Sequence, residues 1–137
     1  MNVWTCEACG REFGKKQWHV CAPAKSVDAY FADRPALERE IFEVVAAHLR
    51  SLGPLIVEPV NVGIFFKGRR TFVELRPKAK WVDLSFGLNR RVDHPRITRT
   101  TRTKTSRTYH AVRVRAPEDI DEVVLGWLTE SFFELAN

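Results

Sequence analysis

Cys6-Glu-Ala-Cys9-Gly10, followed by His19 and Cys21, gathers all three cysteines of a 137-residue chain into its first 21 positions. A C-x2-C pair with glycine next to it has the pattern of a zinc knuckle. A tight turn brings both thiolates to one metal, and the glycine supplies the positive φ such turns often need. His19 and Cys21 are one residue apart. On a helix they would point about 200° away from each other, whereas on a strand they share a side, so this pair is expected to be extended. Cys6, Cys9, His19 and Cys21 make a closed tetrahedral set with no position left for water or substrate, which implies one structural Zn2+ per chain. Trp4, Phe13, Trp18 and Val20 flank the ligands and are the expected small core of a module over residues 1–22, too short to fold without its metal. Chance cysteines beside a surface histidine, or redox-active thiols, are the competing readings. A histidine among the thiols favours metal.

Three cysteines leave one unpaired in any disulfide scheme, which also argues for metal rather than for a secreted, cross-linked protein. No apolar run approaches the roughly 18 to 20 residues that span a bilayer, and the first residues lack the basic and apolar regions of a signal peptide. The expectation is a cytoplasmic protein that does not enter the membrane. Apolar residues make up 45% and charged residues 28%, enough to build one ordinary domain beside the small module.

Charge is unevenly placed. Lys67 to Arg115 holds 15 Lys and Arg against Glu74, Asp83 and Asp93, a surplus of +12 in a chain whose net charge is +5, so the remainder carries −7. Such asymmetry suits an anionic partner, although basic strands also serve to keep a sheet soluble.

After a linker with Pro23, the main domain is expected at 26–137. Asp33 and Pro35 open a helix with Leu37, Ile41, Val44, Val45, Leu49 and Leu52 at helical spacing, stopped by Gly53-Pro54. Four short segments then alternate as strands: 55–60, 61–67, 71–76 and 81–88. Their links are too short for parallel crossovers, so they are antiparallel neighbours. Residues 89–108, with Thr98-Arg-Thr-Thr-Arg-Thr-Lys-Thr-Ser-Arg-Thr108, are either a mobile basic loop or an exposed twisted ribbon. Arg107 to Arg115 returns as a strand with His110, Val112 and Val114 on one face. Asp119 and Glu122 have capping-box spacing before a second long helix. The expected fold is α+β: an antiparallel sheet of 4–5 strands flanked by two long helices, with the basic charge on the other face.

At this point the chain resembles the bacterial domain-of-unknown-function family 5655. The likeness is carried by Trp4-x-Cys6-x2-Cys9-Gly10-Arg11-x-Phe13, Gln17-Trp18-His19-x-Cys21, Asp93-x-Pro95-Arg96, Tyr109-His110 and Asp121-Glu122 with Trp127-Leu128. Ser131-Phe132-Phe133 stands where the family pattern has Ala-Tyr. The resemblance supplies no activity; its association with nuclease-like and transport-named proteins implies a role near DNA.

An acid-and-lysine nuclease centre would need Glu58, Glu74 and Asp83 to converge on Mg2+, yet their spacing secures no single site. No nucleophile elbow, phosphate-cradling glycine loop or dinucleotide fingerprint is present. The leading expectation is a non-catalytic zinc-containing module that contacts nucleic acid through Arg69, Arg70, Arg96, Arg99, Arg102, Lys104, Arg107 and His110. A domain recognising an acidic protein or a small anionic ligand is the alternative, and a nuclease-like enzyme stands third. His110 has a further reading as an interior, hydrogen-bonded side chain.

Overall fold

The structure, a computed structural model, describes residues 3–16, 19 and 25–136. A two-residue-per-strand hairpin comes first, β1 (Trp4–Thr5) and β2 (Glu12–Phe13), with Trp4 opposite Phe13. One short helix follows, α1 (Val27–Phe31), capped by the Ser26 hydroxyl, which accepts from the Ala29 N–H at 3.1 Å. The long helix α2 (Ala36–Leu52) begins one residue after Pro35. Asp33, the expected cap, lies outside it; with φ fixed and no N–H to satisfy, Pro35 fits the position before the first turn. Ile41, Phe42, Val45, Ala46 and Leu49 are the buried stripe of α2, each large side chain gaining roughly 1.5–3 kcal/mol from burial.

The main sheet has six antiparallel strands, not four or five. They are β3 (Ile56–Val60), β4 (Gly63–Lys67), β5 (Thr71–Pro77), β6 (Val82–Leu88), β7 (Ile97–Arg102) and β8 (Thr108–Val114), in the order β3-β4-β5-β6-β8-β7. The extra strand is β7. Its threonines and arginines carry no apolar alternation, yet β-branched threonine suits an extended edge, and backbone pairing to β8 does what side-chain burial cannot. The basic stretch is therefore a ribbon rather than a loop.

Helix α3 (Glu122–Leu135) closes the chain. Its cap is Asp121, whose Oδ1 accepts from the Val124 N–H at 3.1 Å, two residues later than the expected Asp119. Asp119 instead accepts from Arg115 and Ala116 N–H groups and holds the preceding 3-10 turn. Both long helices lie on one face of the sheet. Phe42 of α2 stacks on Phe66 of β4 at 5.9 Å, and Trp127 of α3 stacks on Phe86 of β6 at 5.3 Å.

One irregularity breaks strict alternation in β5. Phe66 pairs with Val73 while Lys67 pairs with Thr71, leaving Phe72 as the extra residue of a bulge. The sequence pattern puts Phe72 and Val73 on opposite faces. The bulge turns both inward, Phe72 meeting Phe132 of α3 edge-on at 5.9 Å, and both are fully buried. Among the described residues no helix is long and apolar enough to cross a membrane.

Candidate metal centre and basic belt

The candidate metal centre is built by the first hairpin. Its connection folds as a tight turn in which the Gly10 N–H donates to Cys6 O at 2.7 Å and the Cys6 N–H to Arg11 O at 2.9 Å. Gly10 sits at φ 74°, a conformation that costs a residue with a Cβ but not glycine. That turn carries Cys6 and Cys9, and His19 returns against them. The donor atoms of Cys6, Cys9 and His19 all lie within 4.8 Å of one another, with Cys9 Sγ 3.4 Å from His19 Nε2. Two ligands bound tetrahedrally at about 2.0–2.3 Å from one ion stand about 3.5 Å apart, so this cluster has the size of a metal site, and thiolates with an imidazole suit a borderline-soft ion. Cys21, with Trp18 and Val20, lies outside the described residues. Among those described, no other three His, Cys, Asp or Glu donors gather this way, and Glu58, Glu74 and Asp83 do not.

Phe13, 2% exposed, packs on His19 at 4.2 Å and on Trp4 at 5.8 Å, which is the small core expected of the module. The module does not stand apart from the sheet. It covers the face opposite the helices at the β3–β4 end, because Lys67 and Phe65 alternate with Ile64 and Phe66 and so point away from α2. Lys67 Nζ bonds both carboxylate oxygens of Glu58 at 3.0 and 3.1 Å, Arg11 pairs with the same Glu58, and the Phe13 ring lies 3.8 Å from Lys67 Nζ. Glu58 and Lys67 are each 2% exposed. Burial pushes the Lys67 amine below its ordinary range, and Glu58 opposes that shift. The acid considered for catalysis is thus the shared partner of two cations.

A second contact involves Gly14, where a Cβ would come within 2.3 Å of the Arg69 backbone. The β4–β5 turn is therefore backed by the metal module. From its other side the Arg69 N–H donates to Ala136 O at 3.1 Å.

At the far end of the sheet the basic residues are arranged differently. Three clefts run along the β6–β7 connection and the β7–β8 hairpin. The first includes Arg70, Lys104 and Arg107; the second, Arg90, Arg91 and Arg102; the third, Arg91 and Arg99. Neighbouring clefts share Asn89 and Ser106, then Arg91 and Thr100, so they form one belt whose walls contain a single carboxylate, Asp93. Arg70, Arg99, Arg102 and Lys104 are exposed and Arg107 half-buried, and none forms an ion pair among the described residues.

Five of the eight residues expected from sequence to bind a ligand meet here: Arg70, Arg99, Arg102, Lys104 and Arg107. Arg69 is exposed at the neighbouring turn without lining the belt. Arg96 bonds Asp121 at 3.2 Å and Asp119 O at 2.7 Å, tying the strand β7 entrance to the cap of α3. His110, 1% exposed, stacks on Phe86, and its Nε2 accepts from the Val92 N–H at 2.9 Å, which puts the ring proton on Nδ1. Burial holds its pKa below the ordinary histidine value, reinforced by Arg90 and Arg91 against the Phe86 backbone. This buried ring clamps the belt's loop through the Val92 N–H.

Arg90 and Arg91 went unselected in sequence, although a basic pair directly after a strand was the available signal. Arg90 is held by a two-pronged pair with Glu130 at 2.8 and 2.9 Å.

The family model described as a domain of unknown function, DUF5655, matches residues 27–133, taking in the six-stranded sheet and most of its helices but not the metal module. No curated protein and no solved structure matches the chain.

Proposed function

The chain belongs to this DUF5655 family, and on that premise we propose that it is a non-catalytic binding module that holds nucleic acid by its phosphates. The reading rests on the continuous belt around the β7–β8 hairpin, in which Arg90 and Arg91 are ion-paired but Arg70, Arg99, Arg102, Lys104 and Arg107 have no carboxylate partner among the described residues. Guanidinium and ammonium groups with no internal carboxylate are free to neutralise phosphates, and phosphate contacts give affinity without base choice. The metal is a structural Zn2+ on Cys6, Cys9, His19 and Cys21, a closed set that supplies folding energy instead of chemistry.

Fluorescence anisotropy of a labelled duplex and a labelled single strand, each at two salt concentrations, tests this. Micromolar binding at about 50 mM salt is expected, with affinity falling by a log–log slope of about −0.9 for each duplex phosphate neutralised. Replacing Arg99, Arg102, Lys104 and Arg107 together by Ser should flatten that slope. No binding by the wild type, or an unchanged slope in the variant, overturns the reading and moves an acidic protein partner ahead.

A further inference from the structure

The belt is not uniform, and its first cleft differs from the rest. About 640 Å³ in volume, it lies where the β4–β5 turn faces the β7–β8 hairpin, with Arg70 from one turn and Lys104 and Arg107 from the other. Ser106, Asn89 and Tyr109 complete the polar wall, and no carboxylate lines it. Glu134, which is not part of the lining, accepts from the Asn89 N–H at 3.3 Å.

Both turns are held before any ligand arrives. In the hairpin, Thr103 Oγ1 donates to Arg107 O at 2.9 Å and lies 2.9 Å from Thr105 Oγ1, while the Thr103 N–H also donates to Arg107 O at 3.0 Å. The threonines that obscured this strand in sequence are the bonds that fix its turn. On the facing side, the Gly68 N–H donates to Arg70 O at 3.2 Å and Arg69 is bonded to Ala136. Tyr109 joins the two by donating its hydroxyl to Thr71 O at 2.8 Å. A cleft of small-ligand size, walled by three cations on turns that need no reordering, spares the entropy cost that makes flexible basic loops bind weakly.

From this geometry we infer that the Arg70–Lys104–Arg107 cleft is a site for a phosphate monoester, the doubly charged terminal group of a nucleotide or of a nucleic-acid end. Three cations lining one cleft from two turns suit a group that offers three oxygens and close to two negative charges, whereas an internal phosphodiester has two free oxygens and one charge. The inference deepens the nucleic-acid reading by naming an end-specific site within the belt.

Isothermal titration of the full, metal-loaded chain separates the cases. Adenosine 5′-monophosphate is expected to bind at least tenfold more tightly than adenosine, and Arg70→Ser and Arg107→Ser should each weaken it by about tenfold, the loss of one charge-assisted hydrogen bond. Arg50→Ser, in the last turn of α2 and outside the belt, should leave it unchanged. A short single strand with a 5′-phosphate, compared with the same strand bearing a 5′-hydroxyl, distinguishes the sources. Preference for the phosphorylated end assigns the site to nucleic-acid termini. Equal binding of the two strands, with retained binding of the mononucleotide, assigns it to free nucleotides. Either result supports the cleft. Equal or absent binding of adenosine and its monophosphate overturns it, and so does loss of binding in Arg50→Ser without loss in Arg70→Ser. Long duplexes that still bind with a salt slope in that event would leave the broader reading intact; monophosphate binding without duplex binding would do the reverse.

Discussion

The two ends of one sheet treat positive charge in opposite ways. At the β3–β4 end, Lys67 is buried against Phe13 and, with the half-buried Arg11, converges on Glu58. At the β7–β8 end, Arg70, Arg99, Arg102 and Lys104 stand in solvent with no carboxylate partner among the described residues. Equal residue types therefore carry unequal duties. A paired, desolvated cation is committed to the fold, because separating it from its partner leaves a charge in a poor dielectric. An unpaired, hydrated one contributes little to stability and remains open to an outside anion. Net charge alone, on which the +12 surplus of Lys67 to Arg115 rests, does not distinguish them: Lys67 counts in that surplus yet faces no partner outside the molecule.

The largest effect should come from removing the zinc proposed at the committed end. Zinc binding by a knuckle of this kind gives on the order of 10 kcal/mol, nearly all of it folding energy for the module. Chelation, or Cys9→Ser, should unfold the first hairpin and expose Lys67 and Glu58, while the sheet and its helices keep their own cooperative transition. Elemental analysis giving one zinc per chain, with far-ultraviolet circular dichroism and a thermal melt of the apo protein, checks both parts. Loss of the whole transition would show that the two regions are a single folding unit.

Next in size is Glu58→Ala, which leaves the buried Lys67 and the half-buried Arg11 without their carboxylate. Removing one partner of such a cluster costs about 3–5 kcal/mol. The contrast is with Glu74→Ala, whose half-exposed pair with Arg76 is worth about 0–1 kcal/mol. Denaturant midpoints of the two variants measure the difference, and similar losses would mean that burial beneath Phe13 adds nothing.

A smaller, pH-dependent effect belongs to His110. Its folded pKa is held below the 6.5 of the unfolded chain, chiefly by burial, so the unfolded state binds a proton that the folded state refuses. Its stabilising contribution is complete above pH 6.5 and is lost as pH falls from there through the lower folded value. His110→Gln keeps an acceptor for the Val92 N–H and has nothing to protonate. Its melting midpoint should fall less than that of the wild type between pH 7.5 and 5.5; identical slopes would remove His110 from the account.

Sequence patterning revealed what depends on local chemistry. The knuckle spacing located Cys6, Cys9 and His19, and period-2 alternation located β4 to β6 because one face of each carries the apolar residues that pack into the core. What stayed hidden depends on partners distant in the chain. Strand β7 has no buried stripe and is held by pairing to β8; the bulge at Phe72 depends on register; and the Glu58–Lys67–Arg11 cluster joins three segments that only the folded sheet brings together. Arg96 and Arg107 look alike in sequence, and Asp121 with the Asp119 carbonyl makes one a tether of α3 while the other lines a cleft.

The smallest expected effect is the sharpest test of the comparison. Replacing Arg99, Arg102, Lys104 and Arg107 together by Ser removes four cations, yet exposed substitutions away from buried networks usually shift stability within about ±0.5 kcal/mol each. The sign of the total can even be favourable, because these side chains repel one another and their removal relieves that repulsion. Ser keeps a small polar side chain, and the hairpin's own bonds run through Thr103, Thr105 and the Arg107 backbone, none of which the change deletes. The melting midpoint should therefore stay near that of the wild type, in marked contrast to Glu58→Ala, while the salt dependence of nucleic-acid binding flattens. A drop in midpoint comparable to that of Glu58→Ala would show that the belt's arginines hold the ribbon together. In that case the two ends of the sheet use charge alike, and the case for an outside anion at the β7–β8 end loses its physical basis.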